Sequence, residues 1–190
     1  MTIVTIVGAR KAPPSVCRML AAYSLHLRAH DVLVRTGDAS SGVDHSVVHP
    51  QSHIMITEPD EMVLSESMTN LEVYTARDAR DDDVAMAMAM RFHPAWEMCS
   101  SHAQLLHSRN IYQVAGLMRN NPSTCLLCWT PDGAKSHSQR SINTGGTGTA
   151  ISVASEVYKI PVFNVRNRPA FPHFLALMES LGIPKMSRQQ

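Results

Sequence analysis

Residues 143 to 150, NTGGTGTA, hold three of the chain's nine glycines within four positions, with threonines among them. Glycine lets a ligand come close to the backbone. A helix that starts in such a turn offers N–H groups carrying a partial positive charge. Thr144, Thr147 and Thr149 add hydroxyl donors to Gly145, Gly146 and Gly148. The set suits a phosphate or another anionic, oxygen-rich group. Two further segments share this character. Gly8 is followed by Arg10 and Lys11, and the stretch 36–44 carries Gly37, Asp38, Ser41, Gly42 and Asp44.

Such chemistry needs a scaffold that brings the three segments together. TIVTIVG (2–8) is a β-branched run ending in glycine and reads as a first strand. Pro13 and Pro14 open a helical pattern, and DVLVR (31–35) is a second strand followed by a turn-rich loop over 36–44. HSVVHP (45–50) reads as a short helix that Pro50 stops. Strands are expected over 52–57 and 71–76, then a helix across 76–92. The Asp81–Asp83 run is a solvated helix start, where carboxylates favour the helix dipole. Met86, Met88 and Met90 alternate, which fits no single helix face and assigns them to the core or a subunit contact. Residues 93–120 read as one long helix or two consecutive ones. A strand over 123–130, a polar loop, the glycine turn, a helix through Lys159, a strand over 160–165 and a helix closed by Gly182 complete the chain.

This alternation predicts a single α/β domain over residues 1–190. The expected architecture is a three-layer Rossmann-like fold with a mostly parallel central sheet of about five to seven strands. In such sheets ligands bind outside the carboxyl ends of the strands, where strand order reverses. All three segments follow strands, so they converge on that edge. Asn164 ends the last strand there, and Trp129 ends the strand over 123–130, placed either to stack on a base or to pack under the loop. GARKAP is not the GxGxxG of a dinucleotide site, and no GK[ST] is present. Generic NAD and ATPase readings are therefore set aside.

Composition narrows the classes further. The chain is 44% apolar and 17% charged, with net charge +1, the balance of an ordinary globular protein. A dedicated nucleic-acid binder carries a basic excess, and ten aromatic residues make a sparse stacking platform. No apolar run reaches the ~20 residues of a membrane span, and the N-terminus lacks a secretory pattern. A cytoplasmic protein with no membrane partner is expected, in the host cytoplasm if the source is viral. Cys125 and Cys128 form a CxxC inside an apolar strand, and Cys17 and Cys99 stand alone, so all four read as free thiols. His45 and His49 share an i, i+4 spacing next to Asp44 with His53 nearby, but no HExxH accompanies them and no third ligand is assigned. No metal and no cofactor are assigned.

The blocks GARKAPPSVC, VLVRTGDASSGVD, HPAWEMCSSHAQLLHSRNIYQVAG, LLCWTPDG and TGGTGTAISVASEVYKIPVFNV resemble the DNA-processing-protein-A-like branch of the SLOG superfamily. That group includes the DprA/Smf recombination mediators and the lysine-decarboxylase-like LOG enzymes, and has small phage-type members. The resemblance covers the first ~45 residues and residues 93–165. It implies a Rossmann-like sheet binding a nucleotide or nucleotide-derived molecule, flanked by Gly8, Arg10, Gly37, Ser41, Gly42, Asp44 and the segment Thr144–Thr149. Arg109 and Asn110 match a recurrent RN pair and are assigned to the pocket or to bracing the sheet. Two departures stand out. Asp38 replaces a glycine of the usual SGGAxGxD, and Ser152 stands where the LOG pattern PGGxGTxxE has its glutamate.

The leading expectation is therefore non-catalytic binding of a nucleotide or nucleotide-derived signal, with sequestration of a host immune signal as its use in a phage. One alternative is DprA-like single-stranded DNA binding, through Arg10, Lys11, Arg35, Arg109, Arg119, Lys135 and Arg140. The other is LOG-like N-glycoside hydrolysis, with Asp38 or Asp44 in place of the missing glutamate. A homo-oligomer is expected, with the Met-rich segment as a candidate interface.

Overall fold

The computed structural model describes residues 1–37, 39–48, 53–56, 72–75 and 83–186, with backbone alone for 53–56 and 72–75. Six strands form one all-parallel sheet: β1 (Ile3–Gly8), β2 (Leu33–Gly37), β3 (His53–Ile56), β4 (Glu72–Thr75), β5 (Cys125–Trp129) and β6 (Val162–Asn164). Their order is β4-β3-β2-β1-β5-β6. The chain builds outward from β1 to β4, then crosses back to place β5 on the other side of β1. The reversal point is thus the β1–β5 seam, where Gly8 pairs with Trp129.

The helices are α1 (Pro14–Arg28), α2 (Gly42–Ser46), α3 (Asp83–Phe92), α4 (Ser101–Ala115), α5 (Thr147–Ser152) and α6 (Ala170–Ser180). Strand alternation separates two cores. Val4, Ile6, Cys125, Leu127 and Trp129 face α1, α2 and α6. Val7, Leu126 and Cys128 face α3, α4 and α5. This is the three-layer Rossmann-like fold. Cys125 and Cys128 point to opposite faces of the sheet, so the CxxC brings no two sulfurs together. Among the described residues no helix is long and apolar enough to cross a membrane.

Local chemistry explains most boundaries. Pro14 occupies the first helical position of α1, where its missing N–H costs nothing. Gly182 has φ +82 after α6, the left-handed stop that glycine takes most easily. Three expectations shift. The second strand runs to Gly37, because Asp31 sits in a turn with φ 57 and pairing with β1 begins at Leu33. The short helix after it begins at Gly42, three residues early, and His49 and Pro50 lie outside the described residues. Residues 93–120 hold one helix, α4, preceded by a single tight turn at Trp96–Met98. Ser100 caps α4 by accepting the Ala103 N–H at 3.2 Å, and Gly116 at φ 75 ends it.

Of the alternating methionines, Met86 and Met88 pack against the core and Met90 is exposed. Ala85, Ala89 and Phe92 form the buried face of α3, and the i, i+4 alanines allow close approach to α4. The Asp81–Asp83 run is described only at Asp83, the exposed first residue of α3.

Candidate functional site

The site grows from the β1–β5 seam. Gly8 lies so close to its neighbours that a Cβ there would stand 2.6 Å from Val43 and 2.8 Å from the Trp129 carbonyl. Its N–H donates to Asp44 Oδ1 at 2.9 Å, which ties α2 to the end of β1. Gly42, at φ +80, brings the start of α2 against the backbone of Ala9 and Arg10. On the other face, Thr5 Oγ1 donates to the Gln113 carbonyl at 2.5 Å and shares a 2.6 Å hydrogen bond with Ser123 Oγ. That contact fixes the height of α4 over β1. The C-terminal half of α4 then buries Ser108, Arg109, Asn110 and Gln113. Polar side chains are rarely so deep in a helix without a task.

Above the seam opens a cavity of about 340 Å³. Gly8 and Arg10 form one side, and Asp44 lies at its base. Arg109 and Asn110 come from α4, and Thr144, Gly145, Gly146 and Thr147 close the far wall. These nine expected residues meet although they span four separate segments. The wall also holds residues that were not anticipated, among them Ala39, Ala103, Leu106, His107, Gln113 and Asn143. Ala103, Leu106, His107, Asn110 and Gln113 follow helical spacing, so the RN pair already marked the face that carries them.

The glycine turn divides into parts with different tasks. Gly145 takes φ +62 and Gly146 an ordinary φ of −60, and a Cβ on either would meet nothing within 4 Å. Both face open space. Asn110 Nδ2 holds the turn by donating to the Gly146 carbonyl at 2.9 Å. The threonines are mostly spent inward. Thr144 Oγ1 donates to Asp132 and accepts the Ser141 N–H at 2.9 Å. Thr149 Oγ1 pairs with His107 Nδ1 at 2.7 Å and is fully buried. Thr147 is half-buried on the wall, and of the three threonines it alone has no hydroxyl bond within the described residues. Gly148 serves packing: a Cβ would stand 2.5 Å from Arg140 Nε.

Other expected ligand residues also hold the frame. Gly37 lies beneath the site, where a Cβ would meet Asp44 Oδ2 and Gln113 Nε2, each at 2.4 Å. Asn164 Nδ2 donates to Thr130 Oγ1 at 2.6 Å and to the Ala134 carbonyl at 2.8 Å, tying the end of β6 to the loop after β5. Trp129 packs in the core on the α1/α6 face. Ser41 and Lys11 are exposed and off the cavity wall, and Asp38 lies outside the described residues.

Two arginines and one carboxylate set the charge of the cavity. Arg10 is exposed at the rim, Arg109 is 7% exposed, and Asp44 is 5% exposed with one oxygen on the Gly8 N–H. Gln113 is 1% exposed, and among the described residues its Nε2 has no hydrogen-bond partner. Burial, together with the positive neighbours His93, Arg140 and Arg109, lowers the His107 pKa to about 4, so its imidazole is neutral at pH 7.

The position that the LOG pattern gives to a glutamate holds Ser152, fully buried. Its Oγ accepts from Arg140 Nη1 at 2.7 Å and contacts His137 Nδ1 at 2.9 Å, away from the cavity wall. Glu156 is exposed and pairs with Lys159 at 3.5 Å, also off the wall. Of the basic residues considered for DNA, Arg35 is buried and donates to the Asn121 carbonyl at 2.7 Å, and Arg140 donates to the Phe92 carbonyl at 2.8 Å.

Of the His45, His49 and His53 group, His45 is exposed, and His49 and the His53 side chain lie outside the described residues. A different group comes together. His93, Cys99 and His107 bring their ligand atoms within 4.8 Å of one another. Cys99 stands alone in the sequence, with no second cysteine pair to match Cys125 and Cys128, and six and eight positions separate it from the two histidines. No family model, no curated protein and no solved structure matches this chain.

Proposed function

We propose that the chain binds a nucleotide or nucleotide-derived signalling molecule at the carboxyl edge of the sheet and does not transform it. The observation that carries this reading is the cavity at the β1–β5 seam, walled by Arg10, Arg109, Asn110 and the open face of Gly145 and Gly146. Its volume of about 340 Å³ suits a ligand of nucleotide size. The strand-order reversal is where parallel sheets take such ligands. Two arginines against one hydrogen-bonded carboxylate favour an anion. The unpartnered Gln113 amide adds a donor whose burial costs about 1–3 kcal/mol until an acceptor reaches it. The resemblance to SLOG proteins points the same way, and sequestration of a host immune signal is the use it suggests for a phage-type member.

Hydrolysis of an N-glycosidic bond is the second reading, and Asp44 favours it as a carboxylate on the cavity wall. One experiment separates the two. The purified chain is incubated with a mixture of nucleotides and cyclic nucleotides, repurified and denatured, and the released compounds are identified by mass spectrometry. An intact nucleotide supports binding without catalysis. Free base with ribose phosphate establishes hydrolysis instead. Retention of neither, with salt-dependent capture of single-stranded DNA, turns the assignment to nucleic acid.

A further inference from the structure

The connection between α3 and α4 folds back on itself. Pro94 follows His93, the Cys99 N–H donates to the Trp96 carbonyl at 3.0 Å, and Ser100 then caps α4. This reversal sets Cys99 beside His93, and both beside His107 in the second turn of α4. The ligand atoms of all three lie within 4.8 Å of one another, and each residue is half-buried. Cys99 Sγ stands 3.6 Å from His93 Nδ1 and 3.7 Å from Nε2. The two imidazole centroids are 4.3 Å apart at 60°.

We propose that His93, Cys99 and His107 form a site for a divalent transition metal of the zinc class, which pins the α3–α4 connection to the wall of the cavity. One thiolate and two imidazoles are the donor set that selects zinc over the hard cations. Bond lengths of about 2.3 Å to sulfur and 2.0–2.1 Å to nitrogen put tetrahedral S–N separations near roughly 3.5 Å. The Cys99–His93 separation already has that value. From separations within 4.8 Å, His107 reaches that distance by a shift of up to about 1.3 Å on the same bond lengths.

The surroundings fit a metal-binding histidine. His107 Nδ1 is hydrogen-bonded to Thr149 Oγ1 at 2.7 Å, which leaves Nε2 as its donor atom. A partner of this kind orients a ligating imidazole and fixes its tautomer. Binding releases the Cys99 thiol proton to solvent and exchanges the 3.2 Å contact from the Ala95 N–H to His93 Nδ1 for a metal bond. No group is oxidised or reduced. Arg140 and Arg109 are positive neighbours of the cluster and oppose a second cation, so the thiolate charge is essential. Packing of the rings around Trp96, with centroids 6.2 Å and 6.5 Å away, is the competing account of the cluster. The site stands independently of the ligand reading, although His107 belongs to both.

The test uses the full chain after chelator treatment and dialysis, titrated with Co²⁺ as the probe. One equivalent should bind with the intense visible bands of tetrahedral cobalt and a thiolate charge-transfer band, and Zn²⁺ should displace it. Cys99→Ser removes the charge-transfer band, and Cys17→Ser leaves it intact. His93→Gln weakens binding by more than the roughly 10- to 100-fold that loss of an outer partner costs, and Thr149→Val weakens it within that range. Circular dichroism establishes that each variant is folded before titration. Cobalt bound without a thiolate band, cobalt bound equally by Cys99→Ser, or no cobalt bound by the folded wild type would each overturn the site.

Discussion

Asn110 Nδ2 donates to the Gly146 carbonyl oxygen at 2.9 Å, so one side chain of α4 holds the glycine turn in place. Asn110 is 6% exposed, and its Oδ1 accepts from Arg109 Nη2 at 3.4 Å. The amide thus joins the arginine of the RN pair to the backbone of the turn. Its two halves do different work, and a substitution can separate them.

Asn110→Asp keeps the shape and removes the donor to Gly146. It also sets a carboxylate against the Gly146 carbonyl oxygen. A stability loss of about 1–3 kcal/mol is expected from the unsatisfied carbonyl and buried charge. Nucleotide capture should fall as well. Urea unfolding checks the first effect and retention of the nucleotide mixture the second. Unchanged stability would show that the turn stands without this bond.

The glycines of the turn should rank by what surrounds them. Gly146→Ala should change stability by no more than about 0.5 kcal/mol, because nothing lies within 4 Å of its Cβ. Gly145→Ala should cost about 1–3 kcal/mol, the strain of a side chain at φ 62, ψ −155, a region that glycine almost alone occupies. Gly148→Ala should cost about 1–3 kcal/mol through overpacking against Arg140, whose Nη1 is held by Phe92 and Ser152. Denaturant midpoints of the three variants give the order directly.

Thiol reactivity should divide by layer. Burial pushes the Cys125 thiol up to about 12. Burial first, and then the nearby Asp132 carboxylate, raise the Cys128 thiol. Cys17 and Cys99 are half-buried. In the native protein a thiol reagent should modify Cys17 and Cys99, while Cys125 and Cys128 react only on unfolding. Mass spectrometry of labelled peptides reads the pattern, and fast native labelling of Cys128 would contradict the buried β5.

Acid should loosen the loop before the glycine turn. Burial works against ionisation of Asp132, yet hydrogen bonds from Thr144, Ser141, Thr130 and the Ala134 N–H outweigh it and hold the carboxyl well below the usual range. The folded pKa lies below the unfolded one. Its stabilisation is therefore fully present above about pH 4, the ordinary Asp range, and is lost as pH falls through the folded value. Asp132→Asn should be less stable than wild type at pH 7, and the gap should narrow towards pH 2. Unfolding midpoints across that range show whether it does.

The parallel sheet is legible in the sequence because its signals are local. A β-branched run ended by glycine marks β1, and an apolar run ended by a polar loop marks β5, whereas the order reversal between them depends on where the chain returns to the sheet. The glycine turn was legible for the same reason. Direction of side chains was not. Thr144, Thr147 and Thr149 look alike in sequence, and only Asp132 and His107 decide which hydroxyls turn inward. Gly37 read as loop because its role, room for Asp44 and Gln113, is tertiary. The His93–Cys99–His107 group depends on the tight turn at Trp96–Met98, which breaks the helical pattern that 93–120 suggests.

The most direct measurement compares wild type with Gly146→Glu for retention of nucleotides from one mixture. Position 146 has open space and an ordinary φ, so the variant should fold with an unchanged unfolding midpoint. Its side chain would occupy the cavity and add negative charge beside Arg109 and Asn110. The account predicts an intact nucleotide on wild type and none on the variant. Equal retention by both proteins would contradict it and place binding elsewhere on the chain.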